Sequence, residues 1–185
     1  MSHIRGLVIS ATTKYIQQNY GEEGWNKVLN SLEPQDREVL KGKFSPMSFY
    51  PVKPYINLMK AADKVFGKGD FEICRKIGIY EAEDTFSGVY KIFLELGNPN
   101  FLINKASLAW RTFHDGGALE IEQVGDKYAK GKIVDFPEFD KCFCVNLVGF
   151  FGKVLEMSGA KNLQIQETKC RCQGDKFCEY EIKWE

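Results

Sequence analysis

The sequence lacks several features that would assign the protein to a functional class at once. None of its 185 residues belong to a run of the roughly 18 consecutive apolar residues that a membrane-spanning helix needs. Its opening, MSHIRGLVIS, lacks the apolar core and cleavage site of a secretion signal. No GxGxxG, GxxxxGK(S/T) or GxSxG motif occurs. We therefore expect a cytoplasmic protein with no membrane span, and not an enzyme.

Net charge is also lacking. Lysine and arginine number 25, aspartate and glutamate number 25, and the formal net charge is +0. A neutral chain exerts no long-range attraction on nucleic acid or on an anionic membrane. We therefore expect no nucleic-acid partner.

Aromatic residues, by contrast, are abundant. The chain contains 14 Phe, 8 Tyr and 3 Trp, a content that suits an apolar cavity or a helical interface. It suits a well-filled core equally well. Composition alone leaves these alternatives open.

Apolar residues at helical spacing fill the first part of the chain. The pattern predicts a helix from the start to a break at Asn19–Gly21 and a second up to Leu32. A short helix is expected after Pro34, a longer one from Pro51 to Phe66, and further helices after an N-cap at Asp70. Residues 1–113 are thus predicted to form a helical N-terminal region.

The period changes after Gly116–Gly117. Residues 118–136 alternate as in a β-hairpin, residues 137–159 return to helical spacing, and residues 163–184 alternate again around a Gly-Asp turn. Residues 114–185 therefore predict an antiparallel sheet with a helix against it. Together the two regions predict an α+β fold, a hairpin–helix–hairpin packed on helices in one compact unit.

The six cysteines raise the question of a metal site. Without a secretion signal most should stay reduced, so clustering favours a metal or a redox role over a structural disulfide. Cys170 and Cys178 lie on either side of the second hairpin's turn, and Cys144 or Cys142 near a helix start could supply a third ligand. Glu120 or Glu122 could complete the set. Free buried thiols that pack as small apolar groups are the alternative.

Two stretches near the C-terminus resemble a known family. CVNLVGFFGKVLEMSG and, after a strand, ETKCRCQGDKFCEYEIKW are similar to the end of 4-vinyl-reductase-type domains. That superfamily includes phenol-responsive sensory domains, in which three Cys and a Glu hold a structural zinc beside a ligand cavity, and it is related in fold to vesicle-tethering subunits. The resemblance implies a zinc site at Cys144, Cys170, Cys178 and Glu122.

The N-terminus resembles a different family. GLVISATTKYIQQNYGEEGWNKVL is similar to the opening of haem-nitric-oxide-binding domains and of an uncharacterised, chiefly myxobacterial family. The haem-binding family uses a proximal His and a Tyr-x-Ser-x-Arg motif. This chain has only His3 and His114 and no such motif, so we do not expect haem. His114 is interpreted as a solvated turn residue, with axial ligand and catalytic base as alternatives.

The carboxylates of the segment GIYEAEDTF invite a catalytic interpretation. Glu81, Glu83 and Asp84 lie within one helical turn, but neighbours at such short spacing do not face each other on a helix. We expect all three on a solvated face.

These observations predict a sensory function. A small apolar or aromatic molecule would lie between helices and sheet, and its binding would shift a conformational equilibrium that a separate signalling protein detects. The alternatives are a ligand-free homodimeric adaptor, a haem-binding gas sensor and a reductase; a homodimer is expected in any case. The wall candidates are Tyr90, Phe93, Trp110, Phe150 and Phe151.

Overall fold

Helices form the first part of the chain and an antiparallel sheet dominates the last. The structure, a computed structural model, describes residues 1–88, 90–96 and 98–185, with the side chains of 93, 95 and 96 outside the description. It confirms the predicted α+β class. The elements are β1 (His3–Arg5), α1 (Gly6–Asn30), α2 (Pro34–Leu40), β2 (Phe49–Pro51), α3 (Val52–Phe66), α4 (Glu72–Ser87), α5 (Lys91–Leu96), α6 (Pro99–Phe113), β3 (Ala118–Gly125), β4 (Tyr128–Val134), α7 (Lys141–Met157), β5 (Gln164–Lys169) and β6 (Cys178–Lys183).

The break expected near Asn19–Gly21 is a kink within α1. Gly21 has φ 69°, in the left-handed region that glycine adopts at little cost. The two predicted helices are therefore joined end to end. Farther along, the N-cap of α4 is Phe71 and not the expected Asp70. Asp70 lies one residue earlier, and its carboxylate accepts a hydrogen bond from the Glu72 backbone N–H at 3.1 Å.

A short ribbon in the N-terminal region was not predicted. β1 pairs with β2 in antiparallel register, with Ile4 opposite Tyr50. Ile4 also forms an isolated bridge with His114, just after α6. Three-residue strands give too few alternations to be recognised from sequence, yet they attach the N-terminus to the end of α6.

The sheet contains both predicted hairpins. Its order is β3-β4-β6-β5, all antiparallel. The hairpins β3–β4 and β5–β6 are joined through β4 and β6, where Gly131 lies opposite Tyr180. Alternate residues of β4 are buried, among them Ala129 and Ile133, and they face the helices.

Two helices approach each other closely enough to fix the position of the sheet domain. A Cβ on Gly78 of α4 would lie 2.1 Å from the Asn146 carbonyl oxygen of α7, and one on Gly149 would lie 2.2 Å from that of Arg75. Only glycine permits such backbone contact. The main core continues across this crossing and includes residues of both the helical region and the sheet. Among the described residues, no helix combines the length and apolarity needed to cross a bilayer.

Candidate functional site

A cavity lies between the helices and the inner face of the sheet. Its volume is about 280 Å³, just below the roughly 300–1,000 Å³ typical of small-molecule pockets. Its walls come chiefly from α4, α6, α7 and the sheet. Aromatic rings form a contacting network there: the centroid distance is 6.4 Å between Phe113 and Phe150, and 5.8 Å between Phe151 and Tyr180.

Four of the five residues expected to line a ligand site lie on this wall. They are Tyr90, Trp110, Phe150 and Phe151. The side chain of Phe93, the fifth, lies outside the described residues. Contact of these side chains with a ligand stays a prediction.

His114 differs most from its expected environment. Expected on a solvated turn, it is instead 9% exposed and lies on the cavity wall. Its ring stacks on Trp110 with centroids 4.0 Å apart, and Nδ1 lies 3.3 Å from the Trp110 carbonyl oxygen. Burial lowers the pKa of His114 to about 4, so the ring is neutral at pH 7. The Nδ1 proton then bonds to the carbonyl, and Nε2 carries a lone pair with no partner among the described atoms.

A buried carboxyl group also reaches the cavity. Glu81, expected on a solvated face, is 1% exposed and lies on the wall. Its Oε1 accepts hydrogen bonds from the hydroxyls of Thr12 and Tyr55, and its Oε2 accepts one from Asn146 Nδ2 at 2.8 Å. Burial raises the pKa of Glu81 to about 7. Glu81, Thr12, Tyr55 and Asn146 are called the Glu81 group below.

Three of the predicted metal ligands lie together at the start of α7 and the turn of the second hairpin. Cys144 Sγ is 3.9 Å from Cys170 Sγ and 3.7 Å from Cys178 Sγ. Sulfur ligands at roughly 2.3 Å in a tetrahedral site would be roughly 3.8 Å apart. The turn is held by Asp175, whose carboxylate accepts the Cys170 backbone N–H at 2.8 Å.

The fourth member of this cluster is Glu167, and the prediction of Glu122 was wrong. Ligand atoms of Cys144, Glu167, Cys170 and Cys178 all lie within 4.8 Å of one another. Glu122 is on β3, at the opposite edge of the sheet from β5, where it is 62% exposed and pairs with Lys132. The neighbouring candidate, Glu120, lies on the same edge strand.

A second pair of cysteines is joined covalently. Cys74 and Cys142 form a disulfide that joins α4 to α7, with a Cα–Cα distance of 5.6 Å, so the expectation that the thiols stay reduced fails for this pair. The partners are 68 residues apart, a pairing that only the helix crossing reveals. Cys172 is exposed and free.

Comparison with known proteins finds a matching family model and solved structures of similar fold. A family model described as haem-NO-binding matches residues 5–104, more than half of the chain. No curated protein sequence gives a significant match. The 4-vinyl-reductase-type resemblance of the C-terminal part finds no support in these comparisons, whereas the resemblance of the N-terminus does.

Solved structures of low sequence identity share the fold. An H-NOX protein from Shewanella oneidensis in the Fe(II)NO state has a TM-score of 0.78 at 12% identity, covering 98% of this chain and 99% of that one. An unliganded Fe(II) H-NOX protein from K. algicida has a TM-score of 0.71 at 9% identity, covering 98% of this chain and 97% of that one. An oxygen-binding H-NOX domain related to soluble guanylate cyclases has a TM-score of 0.67 at 15% identity, covering 98% of this chain and 95% of that one.

These matches correct the cofactor expectation. We did not expect haem, but the matching family is defined by haem-NO binding and the neighbours above are described with ferrous iron or with oxygen. The comparisons give no support to zinc. The residues present match part of what haem requires: an apolar, ring-lined wall and one neutral histidine with an unpartnered Nε2.

Proposed function

Since the chain belongs to the haem-NO-binding family, we propose that it is a ligand-binding sensory domain whose cavity holds the sensed group. Its occupancy would shift the arrangement of α6 relative to α7 and the sheet, and a separate signalling protein would detect the shift. No reaction is assigned to the cavity. The domain acts by binding, not by catalysis.

In its most specific form the proposal is a haem-based gas sensor, and His114 is the observation that carries it. A neutral imidazole whose Nδ1–H is held by a backbone carbonyl presents Nε2 as a metal ligand, and such a hydrogen bond commonly orients histidine ligands of metals. His114 has this arrangement, with Nδ1 3.3 Å from the Trp110 carbonyl oxygen and Nε2 unpartnered among the described atoms. Haem iron would supply an open coordination position for a diatomic gas.

The rest of the wall supplies the other contacts that a haem needs. The rings of Phe113, Phe150 and Trp110 offer apolar surface for the macrocycle. Lys105 of α6 is the one lysine or arginine on the described wall, and its ammonium group would pair with a propionate.

Haem titration of the purified protein tests this form. We expect one equivalent to bind with a shifted Soret band in wild type and in His3→Ala, since His3 pairs with Asp115 outside the cavity. His114→Ala should lose the histidine-ligated spectrum, and added imidazole should restore it. Identical spectra for wild type and His114→Ala, or no saturable binding, would contradict the haem proposal.

A second candidate is a sensor of a small apolar molecule without iron. The observation that favours it is the scarcity of cationic groups: the chain has no Tyr-x-Ser-x-Arg motif, and on the described wall Lys105 alone could pair with two propionates. In this form Tyr90, Trp110, Phe150 and Phe151 would contact the molecule. Extraction of the purified protein with organic solvent, followed by mass spectrometry, distinguishes this candidate from haem.

The cysteine cluster is proposed as a separate, structural metal site. Cys144, Cys170 and Cys178 with Glu167 are buried or half-buried and within reach of one ion. The Glu167 Oε1 has no partner among the described atoms. Elemental analysis should find one thiophilic divalent ion per chain in wild type and in Cys172→Ser, and less in Cys178→Ser. Equal metal content in all three would count against the site.

The oligomeric state is proposed to be a homodimer, as expected from the sequence. Light scattering after size-exclusion chromatography tests it. A mass of 21.2 kDa would correspond to the monomer and would contradict the dimer.

A further inference from the structure

The cavity wall carries a single carboxyl group among the described residues. Glu81 is the one acidic side chain on a mainly apolar and aromatic wall, on which Thr112 and Asn146 are also polar. Apart from tyrosines, the other ionisable groups there are Lys105 and His114. Lys105 is exposed, and His114 is neutral at pH 7 because burial lowers its pKa to about 4. Glu81 is therefore the one carboxyl on the described wall, and no buried cation lies on that wall with it.

The Glu81 group holds this carboxyl in a fixed position. Three donors from three helices converge on it: Thr12 from α1, Tyr55 from α3 at 2.9 Å and Asn146 from α7 at 2.8 Å. A carboxylate offers about four acceptor positions. Oε2 receives one hydrogen bond among the described atoms, so this oxygen retains capacity for one more donor.

Charge compensation is what the group lacks. In the part of the chain that the structure describes, no lysine or arginine forms an ion pair with Glu81, although its neighbours do: Glu83 pairs with Lys153 and Asp84 with Lys14. A buried carboxylate without a cation is costly. Of the residues that face Glu81 from α1, α3 and α7, Tyr55 alone titrates, and burial raises its pKa well above its ordinary value.

We propose that the Glu81 group is a binding subsite for the protonated amine of an organic ligand whose apolar body fills the cavity. The ammonium group would donate to the free position on Oε2 and compensate the carboxylate. The surrounding rings, among them Tyr55 and Phe143, whose centroids are 6.4 Å apart, add cation–π attraction. This inference rests on the cavity being the ligand site and not on haem.

Two probes of equal shape test the subsite. 2-Phenylethylamine ends in an ammonium group where propylbenzene ends in a methyl group. Calorimetry compares the binding of the two probes to the haem-free wild-type chain. We expect the amine to bind at least about tenfold more tightly, the ratio of a single charge-assisted contact. Glu81→Gln should remove that preference and leave propylbenzene unchanged. Glu83→Gln, on the exposed side of α4 beside Lys153, is the matched control.

Wild-type protein provides a test that needs no variant. Because the pKa of Glu81 is raised to about 7, its charge increases between about pH 6 and pH 8, where an alkylamine stays protonated. Amine affinity should therefore rise over this range while propylbenzene affinity stays flat. Equal affinities for the two probes, a flat pH response of the amine, or an unchanged preference in folded Glu81→Gln would each overturn the subsite.

The outcome also separates the two proposals. Binding of haem but of neither probe would overturn the amine subsite and leave the sensory function standing. Failure of both probes and of haem would overturn the cavity as a ligand site and the subsite with it. Binding of propylbenzene alone would support the apolar-ligand sensor and contradict the subsite.

Discussion

At the scale of single residues, the buried carboxyl of Glu81 places an unusual demand on the fold. It accepts three hydrogen bonds and has no cation beside it among the described residues. Burial is the main cause that raises its pKa, and the three hydrogen bonds oppose the rise without cancelling it. The folded protein therefore holds this proton more tightly than the unfolded chain does.

The pH dependence of stability follows from that difference. The pKa of Glu81 is raised from 4.5 to about 7, so its proton stabilises the folded state fully below about pH 4.5, and this stabilisation is lost as the pH rises through about 7. The loss amounts to about 3 kcal/mol. Chemical denaturation between about pH 5 and pH 8 should show a decline in the free energy of unfolding that is shallower in Glu81→Gln. The same decline in Glu81→Gln as in wild type and Glu83→Gln would contradict the assignment.

Both residues whose environment was misjudged have polar neighbours in sequence. Glu81 stands among Glu83 and Asp84, and His114 precedes Asp115 and two glycines. The helical period did contain the signal for Glu81, since it shares the buried face of α4 with Cys74, Ile77 and Gly78. For His114 the one local contact is Trp110, four residues earlier, on which its ring stacks. The rest of its burial depends on the distant Phe136 and Phe143.

At the scale of elements, the crossing of α4 and α7 determines how the sheet region attaches to the helices. Gly149→Ala would place a methyl group 2.2 Å from the Arg75 carbonyl oxygen. This oxygen belongs to the backbone, so a change of side-chain rotamer cannot relieve the clash. We expect a loss of about 1–3 kcal/mol, as in other overpacked sites.

Another glycine of α7 provides the control for that variant. A Cβ on Gly152 would meet Ile165 Cδ1 at 3.7 Å, an ordinary contact. Gly152→Ala should therefore raise the free energy of unfolding by up to about 1 kcal/mol, because alanine has the higher helix propensity. Urea denaturation of both variants checks the pair, and equal effects of the two would contradict the close crossing.

The Cys74–Cys142 disulfide restrains the same pair of helices. It closes a loop of 68 residues, so the chain-entropy estimate of its stabilisation is about 4 kcal/mol. A strong reductant should lower the free energy of unfolding by about this amount in wild type and in Cys172→Ser. It should have no effect on the free energy of unfolding of Cys74→Ala/Cys142→Ala. A reductant effect that persists in the double variant would show that another bond is responsible.

The predictability of the elements depends on how local their determinants are. The hairpins β3–β4 and β5–β6 and the helix α7 follow from periods of two and 3.6 residues and from glycine turns. The β1–β2 ribbon and the β4–β6 pairing depend on contacts between distant segments. The same limit explains why Glu167 was missed and Glu122 chosen, since the sheet order decides which carboxylate meets Cys144.

At the scale of the whole molecule, the fold places a ring-lined cavity between two regions that are distinct in sequence. The helical region provides Glu81 and Lys105 to the wall, and the later region provides His114, Phe150, Tyr180 and their neighbours. Family membership identifies this kind of domain as haem-NO-binding. Aromatic richness suggested a cavity from composition, but only the packing of α6 over α7 and the sheet determines its position.

Native mass spectrometry of the purified protein before and after denaturation, with and without added haem, tests the central claim that the cavity is the sensory ligand site. Ala106→Phe adds a ring on the wall, whereas Asn104→Phe adds the same ring to an exposed position of α6 away from it. We expect wild type and Asn104→Phe to carry a non-covalent mass that denaturation releases, and Ala106→Phe to lack it. A bare chain throughout, or equal occupancy of both variants, would contradict it.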